Sequence, residues 1–207
     1  MDLEPIRRSL RDELDAKYQA REQGLTLSRK TIRLCANSIR AIHRSNQREA
    51  LRLLGEAKLL LDEAAAAMRS HPDVKNAGFY NDAAKEYAEG RITYALIFDE
   101  ELPGPKELEV EAPAYLNGMG EAVGEIRRHL LDLMRRGDLE RSEQLMAVMD
   151  EVYYLLITMD YPDGMTGGLR RTTDVARSII ERTRGDLSTT IIQNGLRNAI
   201  EGMRDPA

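Results

Sequence analysis

Proline and glycine interrupt this chain at only a few places, and that punctuation limits what it can fold into. The clear breaks are His71-Pro72, the run LPGPKE from Leu102 and the run YPDGMTGG from Tyr161. Between them leucine, alanine, arginine and glutamate dominate, all good helix formers, and no alternating β-branched run of strand length occurs. The spacing predicts an N-terminal arm, helical after Pro5, leading into a long amphipathic helix that ends near Ser45 and is kinked at Gly24. A second helix runs from Gln47 to Arg69. A third starts near Asp73, bends or restarts at Gly78 and finishes near Asp99. After a loop at LPGPKE, Pro113 opens a helix that stops near Gly137, and Leu139–Met159 and Leu169–Met203 form two more. With no internal repeat and no low-complexity segment, this is an all-α chain: one domain, residues 1–207, a bundle of six or seven helices.

Apolar residues recur at helical spacing on these segments. On the first, Ile32, Cys35, Ile39 and Ile42 form a stripe, with Arg33, Asn37, Arg40 and Arg44 on nearly the opposite side. The second carries Leu51, Leu54, Lys58 and Leu61 on one side, and the last carries Leu169, Val175, Ile179 and Leu187. The arginine face is either a solvated helix surface or a track for a phosphate backbone. Charge along the chain is polarised, which keeps the second reading open. From Arg7 to Arg52 there are twelve Lys or Arg against five Asp or Glu, whereas from Glu86 to Glu125 the balance is two against ten, all within a net charge of −5. A basic track beside an acidic centre is what a metal-dependent nuclease needs. The single cysteine, Cys35, rules out an internal disulfide framework and fits a reducing cytoplasm, where it packs as a core residue. No uncharged apolar stretch approaches the roughly 18 residues of a membrane helix, and the charged start MDLEPIRRSLRDELD is no targeting segment.

Two carboxylate pairs stand out. Glu86 and Glu89, in DAAKEYAEGRITYALI, are three apart just before an apolar run. Glu121 and Glu125, in PAYLNGMGEAVGEIRRHLLDLMRRGD, are four apart and interleaved with Gly118, Gly120 and Gly124. Each pair falls on one helix face. Such spacings are ordinary on a solvated helix, but glycine costs about 1 kcal/mol in a helix interior, so three of them in one segment call for a close neighbour or ligand. Four converging carboxylates repel unless a cation or shared protons neutralise them, and hard oxygen ligands suit Mg²⁺ or Mn²⁺.

Other chemistries fit less well. GMGEAVG has its last glycine one place late for a dinucleotide fingerprint and follows no strand. Neither His43, His71 nor His129 sits three residues after a glutamate, as a ferritin-like di-iron site wants. No phosphate-binding Walker loop is present.

Several stretches resemble the translin/TRAX family, and within it the catalytic subunits related to translin-associated factor X, at the size of archaeal-type members. KEYAEGRITYALI is similar to the family's Glu-Tyr-x-Glu helix, and YLNGMGEAVGEIRRHLLDLMRRGD to its later YL-x-G stretch with an acidic residue and a Gly-Glu. LSRKTIRLCANSIRAIHR, Leu27–Arg44, is similar to the first long helix, and LRRTTDVARSIIERT, Leu169–Thr183, to the C-terminal one. The similarity spans Leu27 to Leu187. It implies a translin-like bundle assembling into a closed oligomer, here an octamer of one chain. It also implies an Mg²⁺-dependent endoribonuclease that cleaves single-stranded RNA, with DNA as a further ligand. Glu86, Glu89, Glu121 and Glu125 match the family's acidic quartet, and Arg33, Arg40 and Arg44 are the RNA-backbone candidates beside it. The third acidic position is Asp in the family, and Glu121 is a longer carboxylate. The alternative the resemblance allows is a non-catalytic, translin-like RNA- or DNA-binding scaffold, which lacks the full quartet.

Overall fold

The computed structural model describes residues 1–204, and among them every regular element is helical. The helices are α1 (Glu4–His43), α2 (Gln47–Ala67), α3 (Pro72–Lys75), α4 (Gly78–Phe98), α5 (Pro105–Leu108), α6 (Ala112–Arg136), α7 (Leu139–Thr158), α8 (Asp163–Thr166) and α9 (Leu169–Arg204). Six are long, and α3, α5 and α8 are single turns. The single turns raise the total among the described residues to nine, against an expected six or seven. Two of them lie where only loop was expected: Pro105 opens α5 inside LPGPKE, and Asp163 opens α8 inside YPDGMTGG. Proline at a first helical position gives up no hydrogen bond, so a breaker also starts a turn.

The chain divides into two compact units, Met1–Arg91 with Gly104–Tyr115, and Ile92–Pro103 with Leu116–Ala207. In the first, α1 turns back into α2 through Arg44–Asn46. Ser45 takes a left-handed conformation, and the Asn46 side chain accepts from the Glu49 amide to cap α2. The α2 stripe is Ala50, Leu53, Leu54, Ala57, Leu61 and Ala64, and its small residues let α1 and α2 lie close. Leu51, expected in that stripe, is exposed. Helix α1 passes through Gly24 without interruption. The glycine serves packing: a Cβ there would lie 2.5 Å from the sulfur of buried Met68, which joins Leu27 and Ala64 in a core cluster. Lys58 bonds Asp62 at 2.7 Å and Glu109, just after α5, at 2.5 Å, fastening α5 to α2.

In the second unit α7 packs along α9. The buried side of α9 is Leu169, Thr173, Ala176, Ile180, Thr183 and Leu187, a regular three-and-four repeat that includes two threonines. Their hydroxyls are hidden by donating to the carbonyls of Leu169 and Ile179. Of the expected stripe Leu169 and Leu187 are in place, Ile179 is half-buried, and Val175 faces solvent. Asp138 caps α7, and Arg141 on its first turn donates to the Leu96 carbonyl at 3.2 Å and pairs with Asp99 at 2.6 Å, placing a cation at the C-terminal end of α4. No helix among the described residues is long and apolar enough to cross a membrane.

Candidate metal centre

Helix α4 is buried on most of its circumference. Ala83, Ala84, Tyr87, Ala88, Ile92, Tyr94, Ala95 and Ile97 are all in the interior. Gly90 allows this on the side of α1 and α2, because a Cβ there would stand 2.9 Å from Leu54 Cδ2 and 3.3 Å from Ser38 Oγ. In this setting Glu86 is half-buried and Glu89 is 8% exposed. Carboxylates are seldom taken so far from water, since the charge must then be neutralised by a proton, a counter-charge or a metal. Their field reaches α1: burial pushes the Cys35 thiol up, and Glu86 and then Glu89 push it further in the same direction.

Helix α6 carries the second pair and is set in place by its first two turns. Buried Asn117 donates to the Thr166 carbonyl at 2.8 Å and accepts from the Thr172 hydroxyl at 2.6 Å, so one amide joins α6 to α8 and α9. Three residues on, Gly120 admits Thr172: a Cβ would come within 2.4 Å of its Cγ2. Gly124 has only ordinary contact with Ile179. Of the expected close approaches, then, Gly120 makes one and Gly124 does not. Glu121 and Glu125 are half-buried on this helix.

One carboxylate oxygen each from Glu86, Glu89 and Glu121 lies within 4.8 Å of the others. Glu125, one turn past Glu121, is not one of the three. The donor set is entirely carboxylate, which suits a hard divalent cation. In the chemistry of their donor atoms the residues fit such an ion. Arg33, Arg40 and Arg44 project from the exposed side of α1 and its C-cap, with Arg40 donating to Asn37 Oδ1 at 2.9 Å. Asn117 was not singled out from sequence, although its place in the quoted YLNG motif, a polar residue among apolar and small ones, was an available signal.

No family model matches the chain. It is similar to an uncharacterized protein of Methanocaldococcus jannaschii, 32% identical over 183 residues, which are 86% of this chain and 79% of that protein. Among solved structures it is similar to AfC3PO in a complex with duplex RNA, with 36% identity and a TM-score of 0.79 over 93% of this chain and 98% of that one. AfC3PO in a second structure gives 34% identity and the same TM-score and coverage. Apo-NeC3PO, at 20% identity and a TM-score of 0.80 over 88% of this chain and 96% of that one, shares the fold.

Proposed function

This chain belongs to the C3PO (translin/TRAX) family, and from that premise we propose that it is a metal-dependent endoribonuclease acting on single-stranded RNA. The observation that carries the reading is the meeting of Glu86, Glu89 and Glu121 on largely buried helices. Like charges gathered away from water repel, and a hard divalent cation relieves that repulsion for all three at once. Glu86, Glu89 and Glu121 would hold Mg²⁺ or Mn²⁺, with Glu125 completing the set. Such an ion, when bound, polarises a phosphodiester and makes water a better nucleophile near neutral pH. The chain's own part is to hold the carboxylates charged and close, and to accept a proton from the attacking water on one of them. Arg33, Arg40 and Arg44 pair with backbone phosphates. Copies of the chain associate into a closed octamer.

The test is Gln at each of the four acidic positions, which keeps size and removes charge. Cleavage of single-stranded RNA in Mg²⁺ should fall at least a hundredfold at Glu86, Glu89 and Glu121, with RNA affinity retained. Metal-free melting temperatures should stay level or rise, because like-charge repulsion is relieved. Chelation should abolish wild-type cleavage. Because AfC3PO was solved with a duplex, duplex RNA belongs in the same assay. Wild-type rates in all four variants, or cleavage that survives chelation, would leave the RNA-binding scaffold as the better account.

A further inference from the structure

Buried hydroxyls on the helices of this molecule mostly fold back onto the preceding turn. Thr31 donates to the Leu27 carbonyl at 3.1 Å, Ser142 to Asp138 at 2.6 Å, Thr173 to Leu169 at 2.9 Å and Thr183 to Ile179 at 2.7 Å. Thr93, in the middle of α4, does not. It is 0% exposed, and its Oγ1 has no hydrogen-bond partner. The residue one turn before it is Glu89. Ser28 also lacks a partner, but Gly24 and Ile32, one turn to either side of it, offer no side-chain acceptor.

The direction of the Thr93 side chain follows from helix geometry. At 3.6 residues per turn, Thr93 lies about 40° around the helix from Glu89 and about 20° from Glu86. Helical side chains lean toward the N-terminus, so Thr93 covers the turn that carries Glu89. A buried donor without an acceptor is costly and calls for an explanation. Here an acidic face supplies one.

We propose that Thr93 is a positioning residue of the carboxylate site, its hydroxyl donating to the Glu89 carboxylate when that side chain turns onto a divalent cation. Glu89 is then held in its ligating orientation by one oxygen while the other faces the ion. No proton changes owner: Thr93 keeps its hydrogen and Glu89 stays ionised. The proposal rests on reading the carboxylates as a metal site. It adds a residue outside the acidic set, on which the affinity of that set depends.

The experiment measures Mn²⁺ binding to the full chain by calorimetry and by the electron spin resonance of free Mn²⁺, without RNA. Thr93→Val keeps the shape and removes the donor, and it should weaken Mn²⁺ roughly tenfold, the lower end of what losing an outer hydrogen-bond partner costs a metal site. Thr93→Ser restores the donor and should bind within about threefold of wild type. The metal-free melting temperature of Thr93→Val should equal or exceed that of wild type, since an unpaired buried hydroxyl has gone. Should valine disturb the packing, Thr93→Ala lacks the donor without added bulk and must show the same loss. Wild-type affinity in a folded Thr93→Val or Thr93→Ala, beside a clear loss in Glu89→Gln, overturns the role of Thr93 and leaves the metal site standing. A wild type that binds no Mn²⁺ removes both.

Discussion

Cys35 sits fully buried on the inner side of α1, where burial, helped by the charges of Glu86 and Glu89, holds its thiol protonated far above its ordinary value of 9.0. In the unfolded chain the same thiol ionises near that value. Above it the unfolded state releases a proton that the folded state keeps, so stability present below about pH 9 is lost as pH rises, by up to about 1.4 kcal/mol per pH unit. Urea denaturation from pH 8 to 9.5 should show this decline, and Cys35→Ala, less stable at pH 7 for its cavity, should show a shallower one. The upper limit keeps clear of Tyr80, Tyr87 and Tyr115, whose hydroxyls burial also pushes up. A thiol reagent at neutral pH should leave the folded protein unmodified and take one equivalent per chain in denaturant. Equal slopes, or prompt labelling of the folded protein, would contradict this burial.

Helix–helix approach depends on glycine at some positions and not at others. Gly120 has Thr172 Cγ2 at 2.4 Å and Leu156 Cδ1 at 3.4 Å from where a Cβ would stand, and Thr172 is held by its bond to Asn117. Gly120→Ala should therefore cost about 1–3 kcal/mol, the usual range for overpacking a core. Thr172→Ser, which removes the methyl and keeps the hydroxyl, should recover part of that loss in the double variant. Gly185, on the exposed side of α9, has nothing within 4 Å. Alanine there should stabilise by about 0.5–1 kcal/mol, because it lowers only the freedom of the unfolded chain. Thermal or urea unfolding reads both signs. A neutral Gly120→Ala would mean that α6 and α9 separate without cost.

On the scale of the molecule, the two ends of the long helices stand free. In α1, Ile6, Leu10, Leu14 and Tyr18 are more than half exposed, and in α9 so are Ile192, Leu196, Ile200 and Met203. Both sets repeat at helical spacing, every three or four residues. A helical arm with no packed face is marginal in water at this length, and rows of apolar side chains on it are the kind of surface that association covers. Light scattering at micromolar concentration should give a multiple of the 23.4 kDa chain, about eight copies by the family resemblance. A monomer-sized mass would end the proposal of a closed shell. Replacing Arg33, Arg40 and Arg44 together with Gln should weaken binding to every RNA sequence and flatten its salt dependence. The same mass measurement separates that result from a lost interface, and an unchanged salt slope would return these arginines to a solvated face.

Much of the secondary structure was local information. The punctuation at His71-Pro72, LPGPKE and YPDGMTGG, and the helical spacing between, placed the long helices to within a few residues, because capping, proline and periodicity act over one or two turns. The two carboxylate pairs were legible for the same reason: spacings of three and four define a helix face. What lay beyond local reach was which face is turned inward. Leu51 and Val175 are apolar and exposed, while Thr31, Ser38, Thr173 and Thr183 are polar and buried with their hydroxyls bonded to the backbone. A count of apolar residues cannot see that substitution. Gly24 is a contact for Met68, forty-four residues away, and Glu89 counts as a buried charge only once α4 is enclosed by residues distant in sequence. Sequence determined the helices and the carboxylate types. Tertiary packing decided which side chains leave water, and that desolvation makes ordinary glutamates a candidate site for a cation.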